Sequence, residues 1–356
     1  MKDYIRFFDK LTFLLMVGLS ILGIFFIYSA GKPLQQSYYL KQVLWLLFSL
    51  AVFVAVFSMK IEKFFRYSLP LLLLLAVLLF FQAVLGKTTA GAKSWFHFGG
   101  LNIQFSEFVK VPLALYLAKF MTTFEIIDWK ILLRLLAVMG VPIVLISVQP
   151  DLGVSFILCS FMIVVLLLKK FRVAIVVIVL LFAVSLAWVG WNHMLKPYQK
   201  NRIISFFNPG KFKSTTGYHV IQSKIAIGSG GLTGKGFLKG SQSQYQFLPT
   251  RHTDFIVSII GEEFGFLNVG LMFFVYFIFF YRQFKFKFLN DEEFYFVYLF
   301  NGLILFQFVV NVSMAIGLFP VLGITLPFIS YGGSSLLSLY IGEAIIFRIK
   351  INNYIA

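Results

Sequence analysis

Apolar runs of about twenty residues recur along the chain, broken by short polar stretches that carry most of its charge. A helix needs about 20 mostly apolar residues to cross the hydrocarbon core of a bilayer. Ten segments approach or exceed that length: 11–30, 40–58, 67–86, 105–122, 131–149, 152–168, 172–192, 254–281, 294–319 and 330–347. They predict an all-α, polytopic integral membrane protein with ten transmembrane helices in one domain spanning 1–356. Only Gln149, Pro150 and Asp151 separate the fifth and sixth runs. Proline disfavours helix at the residue before it, so a sharp turn is expected there. The fourth and last runs fit least well, since each holds polar or glycine-rich residues.

Composition narrows the class. The chain is 60% hydrophobic and only 13% charged, against about 45–50% and roughly 25% for soluble domains. A single cysteine, Cys159, excludes an internal disulfide and any cysteine metal cluster. The first run is too long for a signal-peptide core and lacks a cleavage pattern, so it reads as an uncleaved span.

Charge sets the orientation. Lys and Arg favour cytoplasmic connections. With both termini inside, the inner segments hold clusters such as Lys60, Lys63 and Arg66, or Lys169, Lys170 and Arg172; the short outer segments hold only Lys32, Lys41, Lys87 and Lys93. The remaining connection, 193–253 between spans 7 and 8, is then a long extracytoplasmic loop. It carries nine basic residues and no acidic one. Two readings stand: a surface touching anionic headgroups, or an electropositive vestibule for an anionic, membrane-linked substrate. Pro197 and Asn208–Pro209–Gly210 punctuate it, and Gly217–Gly228 reads as a short interfacial helix. The glycine-rich Gly228–Gly240 is not a Walker loop, because Gly236 follows Lys235 where Ser or Thr is required. It is either a backbone cradle for a diphosphate or a flexible connector.

The acids within the apolar runs are the candidate chemistry, since ionisable groups in a membrane are costly. Glu107 and Lys110 lie three residues apart in the fourth span and can pair. Asp151 opens the sixth span and Asp254 the eighth. Each is either a helix cap whose basicity the helix dipole lowers, or an acid facing an outer cavity, able to take a proton from a hydroxyl or hold a cation beside phosphate. Ser258, Gly261 and Gly265 share the face of Asp254, a small stripe suited to cavity lining or close packing. Glu262 lies about 12 Å deeper and needs a partner; Lys110 is expected to contact either Glu262 or Glu107. His219 and His252 have no matching ligand spacing and are not read as metal ligands.

Several ordered motifs resemble one family. They are "YYLKQVLW" (38–45), "GAKSWFHFGGLNIQFSEFVK" (91–110), "QPDLG" (149–153), "NRIISFFNPGKF" (201–212), "GYHVIQSKIAIGSGGLTGKGFLKGSQ" (217–242), "LPTRHTDFIVSIIGEEFGF" (248–266) and "GLFPVLGITLPFISYGGSS" (317–335). Together they resemble the SEDS family (FtsW/RodA/SpoVE; shape, elongation, division and sporulation), most closely its elongation branch, over nearly the whole chain. The resemblance implies a peptidoglycan glycosyltransferase of the bacterial cytoplasmic membrane. It would polymerise lipid II at the outer face and release undecaprenyl pyrophosphate. It implies a class B penicillin-binding protein and elongation-complex proteins as partners, with membrane lipid around it and no nucleic acid. Asp254 matches the family's essential acid and Asp151 a second cavity acid; Glu107 and Lys110 match its paired residues. On this reading Asp254 is the expected base, a divalent cation (Mg or Mn) can assist, and Arg202, Lys224, Lys235 and Arg251 are candidate diphosphate contacts. Phe105 stands where the family usually has proline, and Thr250 where it usually has glutamate. A division-type polymerase or a lipid II flippase are the alternatives.

Overall fold

The computed structural model describes residues 7–32, 37–85, 87–89, 92–98, 101–207, 216–248 and 250–355. The predicted turn at Asn208–Pro209–Gly210, with Lys211 and Lys213, lies outside them. A helix stands at every predicted span. In chain order these are α1 (Lys10–Gly31), α2 (Tyr38–Phe57), α3 (Ile61–Leu85), α4 (Phe105–Phe108) with α5 (Lys110–Met121), α6 (Trp129–Val148), α7 (Leu152–Leu168) and α8 (Val173–Val189). Within the long connection come α9 (Pro197–Phe207), α10 (Thr216–Ser229) and the single-turn α11 (Ser241–Gln244), and after it α12 (Ile256–Phe284), α13 (Asp291–Ile316) and α14 (Gly333–Ile355). Among the described residues, six helices are long and apolar enough to cross a membrane: α1, α2, α3, α6, α12 and α13. The fourth span is split at Val109 into α4 and α5, and α4 starts at Phe105 without the proline.

The helices are apolar on most faces, not on one stripe. Leu14, Leu44, Leu73, Val144 and Phe274 are exposed although they lie in the middle of apolar helices, as expected where the solvent is lipid and not water. Inside, α2 packs on α14, α5 on α13 and α3, α7 on α13, and α12 on α1. At one end, Asp9 ahead of α1 accepts hydrogen bonds from Arg282 Nη2 (2.7 Å) and Lys350 Nζ (3.3 Å), so the start of the chain, the end of α12 and the end of α14 meet. The opposite end carries the features that build the site.

Two elements depart from the all-α expectation. A small antiparallel sheet is formed by β1 (Lys87–Thr89), β2 (Ala92–Phe98) and β3 (Leu101–Ile103), with His97 opposite Asn102. A second pair, β4 (Ile126–Ile127) and β5 (Lys170–Phe171), runs parallel. Gly217–Gly228 is helical, as α10, but does not simply lie on the surface: it packs against α12 and α13, with Ser223 and Ala226 fully buried.

Candidate functional site

Asp254 does not cap α12. The helix begins at Ile256 after Phe255, and Asp254 sits in the turn just before it. The turn is clamped from two sides. Asn311 Nδ2 on α13 donates to the Asp254 carbonyl (3.1 Å), Ser330 Oγ donates to the Thr253 carbonyl (2.6 Å), and the Tyr331 amide donates to the His252 carbonyl (2.9 Å). With its backbone held, the carboxylate is left facing a cavity. Burial pushes its pKa up to about 6, against the Thr253 hydrogen bond and the positive charge of Arg202, which hold it down. The dipole-lowered basicity expected of a cap is therefore absent.

The facing wall is an extended segment after α13. Gly323 lies there at φ +79°, a left-handed conformation that suits glycine. A methyl carbon on Gly323 would lie 3.8 Å from Asp254 Oδ2 and 3.9 Å from Arg202 Nη1. An acid and a guanidinium thus converge on a spot where the chain offers no side chain. The space belongs to a cavity of about 410 Å³ lined by Asp254, Arg202, Asp151, Glu107 and Lys110 among others. That is within the usual range for a ligand site.

Asp151 does cap its helix. Its Oδ1 accepts from the Val154 amide (3.3 Å) at the start of α7. Its Oδ2 accepts from Gln104 Nε2 and from Ser106 Oγ (3.3 Å), tying α7 to α4. Burial raises its pKa to about 6, with Glu107 adding to the rise and the Val154, Gln104 and Ser106 bonds opposing it. Its oxygens are already engaged, so it reads as a brace of the cavity floor. Glu107 and Lys110 form the expected pair at 2.5 Å, both buried. Lys110 also donates to Gln307 Oε1 (3.4 Å).

The expected Glu262–Lys110 alternative is not formed. Glu262 is fully buried and receives Lys235 Nζ (2.7 Å), Ser241 Oγ (3.1 Å) and the amides of Gln242 (2.9 Å) and Ser243 (3.2 Å). The glycine-rich segment docks on α12: the Lys235 and Gly236 amides donate to the Glu262 and Glu263 carbonyls (3.0 and 2.9 Å), and Lys235 Nζ reaches the Glu262 carboxylate, which Ser241, Gln242 and Ser243 just after the segment complete. Its backbone lies against α12 so closely that a carbon on Gly234 would fall 2.2 Å from the Glu263 carbonyl oxygen. The small stripe below Asp254 serves the same docking: Ser258 shares a 2.6 Å hydrogen bond with Ser223, and Gly261 abuts Ile227. It packs and does not line the cavity.

Of the four candidate diphosphate contacts, Arg202 alone lines the cavity. Lys235 is committed to Glu262. Arg251 is buried and its Nε donates to the Ala30 carbonyl at the end of α1 (2.8 Å). Lys224 is exposed and lies over Gly317, away from the cavity. His252 stacks on Tyr38 with ring centroids 4.3 Å apart, and burial, with Arg251 beside it, lowers its pKa to about 4, so it is neutral. No group of three or more His, Cys, Asp or Glu side chains that could hold a metal converges among the described residues. The cavity also holds residues that spacing did not single out: Lys41 on α2, Gln307 on α13, and Gly323 with Thr325. For Gln307 and Asn311 a signal existed, two amides one turn apart in an otherwise apolar stretch of α13.

Comparison with known proteins agrees with this architecture. The family model described as "cell cycle protein", covering FtsW, RodA and SpoVE, matches residues 9–355. The peptidoglycan glycosyltransferase RodA of Treponema pallidum (strain Nichols) is 31% identical, over 96% of this chain and 97% of its own. A solved structure described as the structural coordination of polymerization and crosslinking by a peptidoglycan synthase complex superposes with a TM-score of 0.82 at 27% identity, covering 98% of both chains. The crystal structure of the rod shape determining protein RodA of Thermus thermophilus superposes with a TM-score of 0.72 at 26% identity, again over 98% of both chains.

Proposed function

The chain belongs to the FtsW/RodA/SpoVE family of cell cycle proteins, and from that premise we propose how its cavity performs glycosyl transfer. The protein is a multi-pass membrane protein and a peptidoglycan glycosyltransferase. It polymerises lipid II into glycan strands during cell elongation. The ten helices at the predicted spans are read as ten crossings, with both termini cytoplasmic and the cavity opening at the outer face of the bacterial cytoplasmic membrane. The distribution of Lys and Arg supports that orientation.

The carrying observation is the convergence of Asp254 and Arg202 on the empty side of Gly323. Glycan extension needs a sugar hydroxyl to attack an anomeric carbon bearing a diphosphate. As the new C–O bond forms, the hydroxyl proton passes to the Asp254 carboxylate. The anomeric C–O bond to the diphosphate breaks, and its electron pair leaves with undecaprenyl pyrophosphate. A carboxylate with a pKa of about 6 is ionised at neutral pH and still basic enough to accept that proton. The Arg202 guanidinium offers a planar fork for the growing negative charge on the leaving diphosphate. A divalent ion, where one takes part, fits a site made of Asp254 and substrate phosphates rather than an all-protein cage; it would neutralise the leaving group. Glu107, Lys110 and Asp151 hold the cavity floor. A class B penicillin-binding protein that crosslinks the product is the expected partner, in line with the peptidoglycan synthase complex that this fold matches.

The test is polymerisation of labelled lipid II by the purified chain, with and without its penicillin-binding protein and a divalent cation, beside Asp254→Ala. Glycan ladders from the wild type alone support the assignment. Ladders from both variants remove Asp254 from the chemistry. No ladders, with lipid II crossing liposome membranes instead, indicate a flippase.

A further inference from the structure

α13 is built around 304–312 from Ile, Leu, Phe and Val, with two exceptions, Gln307 and Asn311. Both are buried, at 2% and 0% exposure. A buried amide in such a helix is costly unless it is hydrogen bonded, so its bonds show what it is for. Asn311 Nδ2 donates one hydrogen to the Ile324 carbonyl (2.6 Å) and one to the Asp254 carbonyl (3.1 Å). Its Oδ1 is buried and has no partner among the described residues. The group is used as a double donor only. One turn away, Gln307 Nε2 donates to the Thr325 carbonyl (2.9 Å) and hydroxyl (3.2 Å), while its Oε1 accepts from Lys110 Nζ (3.4 Å).

The two amides therefore join three separate pieces of chain: the turn that carries Asp254, the extended wall that carries Gly323, and the buried Glu107–Lys110 pair. Asn311 holds two carbonyls, one from each side of the reaction gap, on a single NH2 group. Those carbonyls set how far the Asp254 turn stands from the Gly323 wall.

We propose that Asn311 is a positioning residue for glycosyl transfer, gauging the gap between the Asp254 turn and the Gly323 wall, and that Gln307 continues the same ladder to Lys110. This rests on the assignment of Asp254 as the base. A misplacement of about 1 Å at a reacting centre costs on the order of 10²-fold in rate, and losing the Asn311 bonds removes the anchor that the turn and the wall share on α13, leaving the turn to Ser330 and Tyr331 and the wall to Gln307.

The experiment compares full-length wild type, Asn311→Ala, Asn311→Asp, Asn311→Ser and Asp254→Ala in lipid II polymerisation, scaled to folded protein. Asn311→Ala is expected to lower kcat roughly 10²-fold with KM for lipid II within about twofold. Asp has the shape of Asn but brings acceptors to two carbonyls, so Asn311→Asp should be as impaired as Ala; Ser, with one donor, should fall between. The acidic limb of the kcat profile should also move upward in Asn311→Ala, because Asp254 loses the nearby charge of Arg202. Activity retained by Asp but lost by Ala would show a packing role and overturn the proposal. So would an unchanged kcat per folded molecule in all three variants. Should Ala or Asp fail to fold, Ser alone decides by its kcat and its acidic limb. Wild type without glycan, or Asp254→Ala with wild-type activity, would instead break the assignment of the base. Wild-type kcat in the Asn311 variants beside a dead Asp254→Ala breaks only this inference.

Discussion

Asp254 and Glu262 stand eight residues apart in one stretch, and they have opposite fates. Glu262 is sealed under the connection between α8 and α12 with four donors on its carboxylate, two of them backbone amides. Asp254 has its main chain clamped and its carboxylate left facing a cavity. The difference is one of which atoms are satisfied. Where four donors saturate the side chain, the acid organises the fold; where the donors reach mainly the backbone, with Thr253 on the carboxylate, the acid faces the cavity. Burial alone does not separate the two.

The largest expected effect sharpens this contrast. Asp254→Asn should reduce polymerisation by about 10³-fold, within the span of general-base losses, with thermal stability in detergent unchanged or raised. Stability should not fall because the raised pKa of Asp254 marks a carboxylate that folding disfavours once it is ionised. Glu262→Ala should do the reverse: a loss of about 3 kcal/mol in stability from orphaned donors and a broken ion pair, seen as a lowered melting temperature, with residual activity in whatever protein remains folded. If Asp254→Asn destabilised the protein as Glu262→Ala is expected to, the contrast would be void.

A smaller effect follows from pH. The folded pKa of Asp254 lies near 6, above its ordinary value of 3.8. The base form is lost as pH falls through 6, so kcat should drop about tenfold per unit below that point and level off above it. Glu262 lies outside the reaction path and should give no limb of its own. A kcat profile flat from pH 5 to 8 would remove Asp254 as the base.

How much of this was legible in the sequence follows from the range of the interactions. Apolar runs are local, and each predicted span holds a helix because lipid demands an internally bonded backbone. The Glu107–Lys110 pair was also legible, being three residues apart on one helix. The small sheet of β1, β2 and β3 was not, because its strands are short. Nor was the partner of Glu262: Lys235 is 27 residues away, brought there by a fold-back that no periodicity encodes. For Asp254 the sequence left two readings, a helix cap or an acid facing a cavity; α12 starts two residues later, so Asp254 is not the cap and lines the cavity. The two amides of α13 left a trace in an apolar stretch, but the facing wall with Gly323 came into view only when the chain folded on itself.

The smallest effect concerns the basic loop, where charge count suggested four contacts and geometry leaves Arg202. Lys224 is exposed over Gly317 and lines no part of the cavity. Lys224→Ala should therefore leave kcat unchanged. It still adds to the positive charge of the 193–253 connection, and such fields steer anionic substrates. The expected result is a rise in KM of about twofold at low salt that vanishes near 0.15 M, where the Debye length is about 8 Å. Arg202→Ala should instead lower kcat at every salt concentration, because its charge acts on the leaving diphosphate at contact distance. A salt-independent loss of kcat in Lys224→Ala would mean that the diphosphate reaches beyond the cavity, toward α10, and the division between a catalytic wall and a steering surface would have to be redrawn.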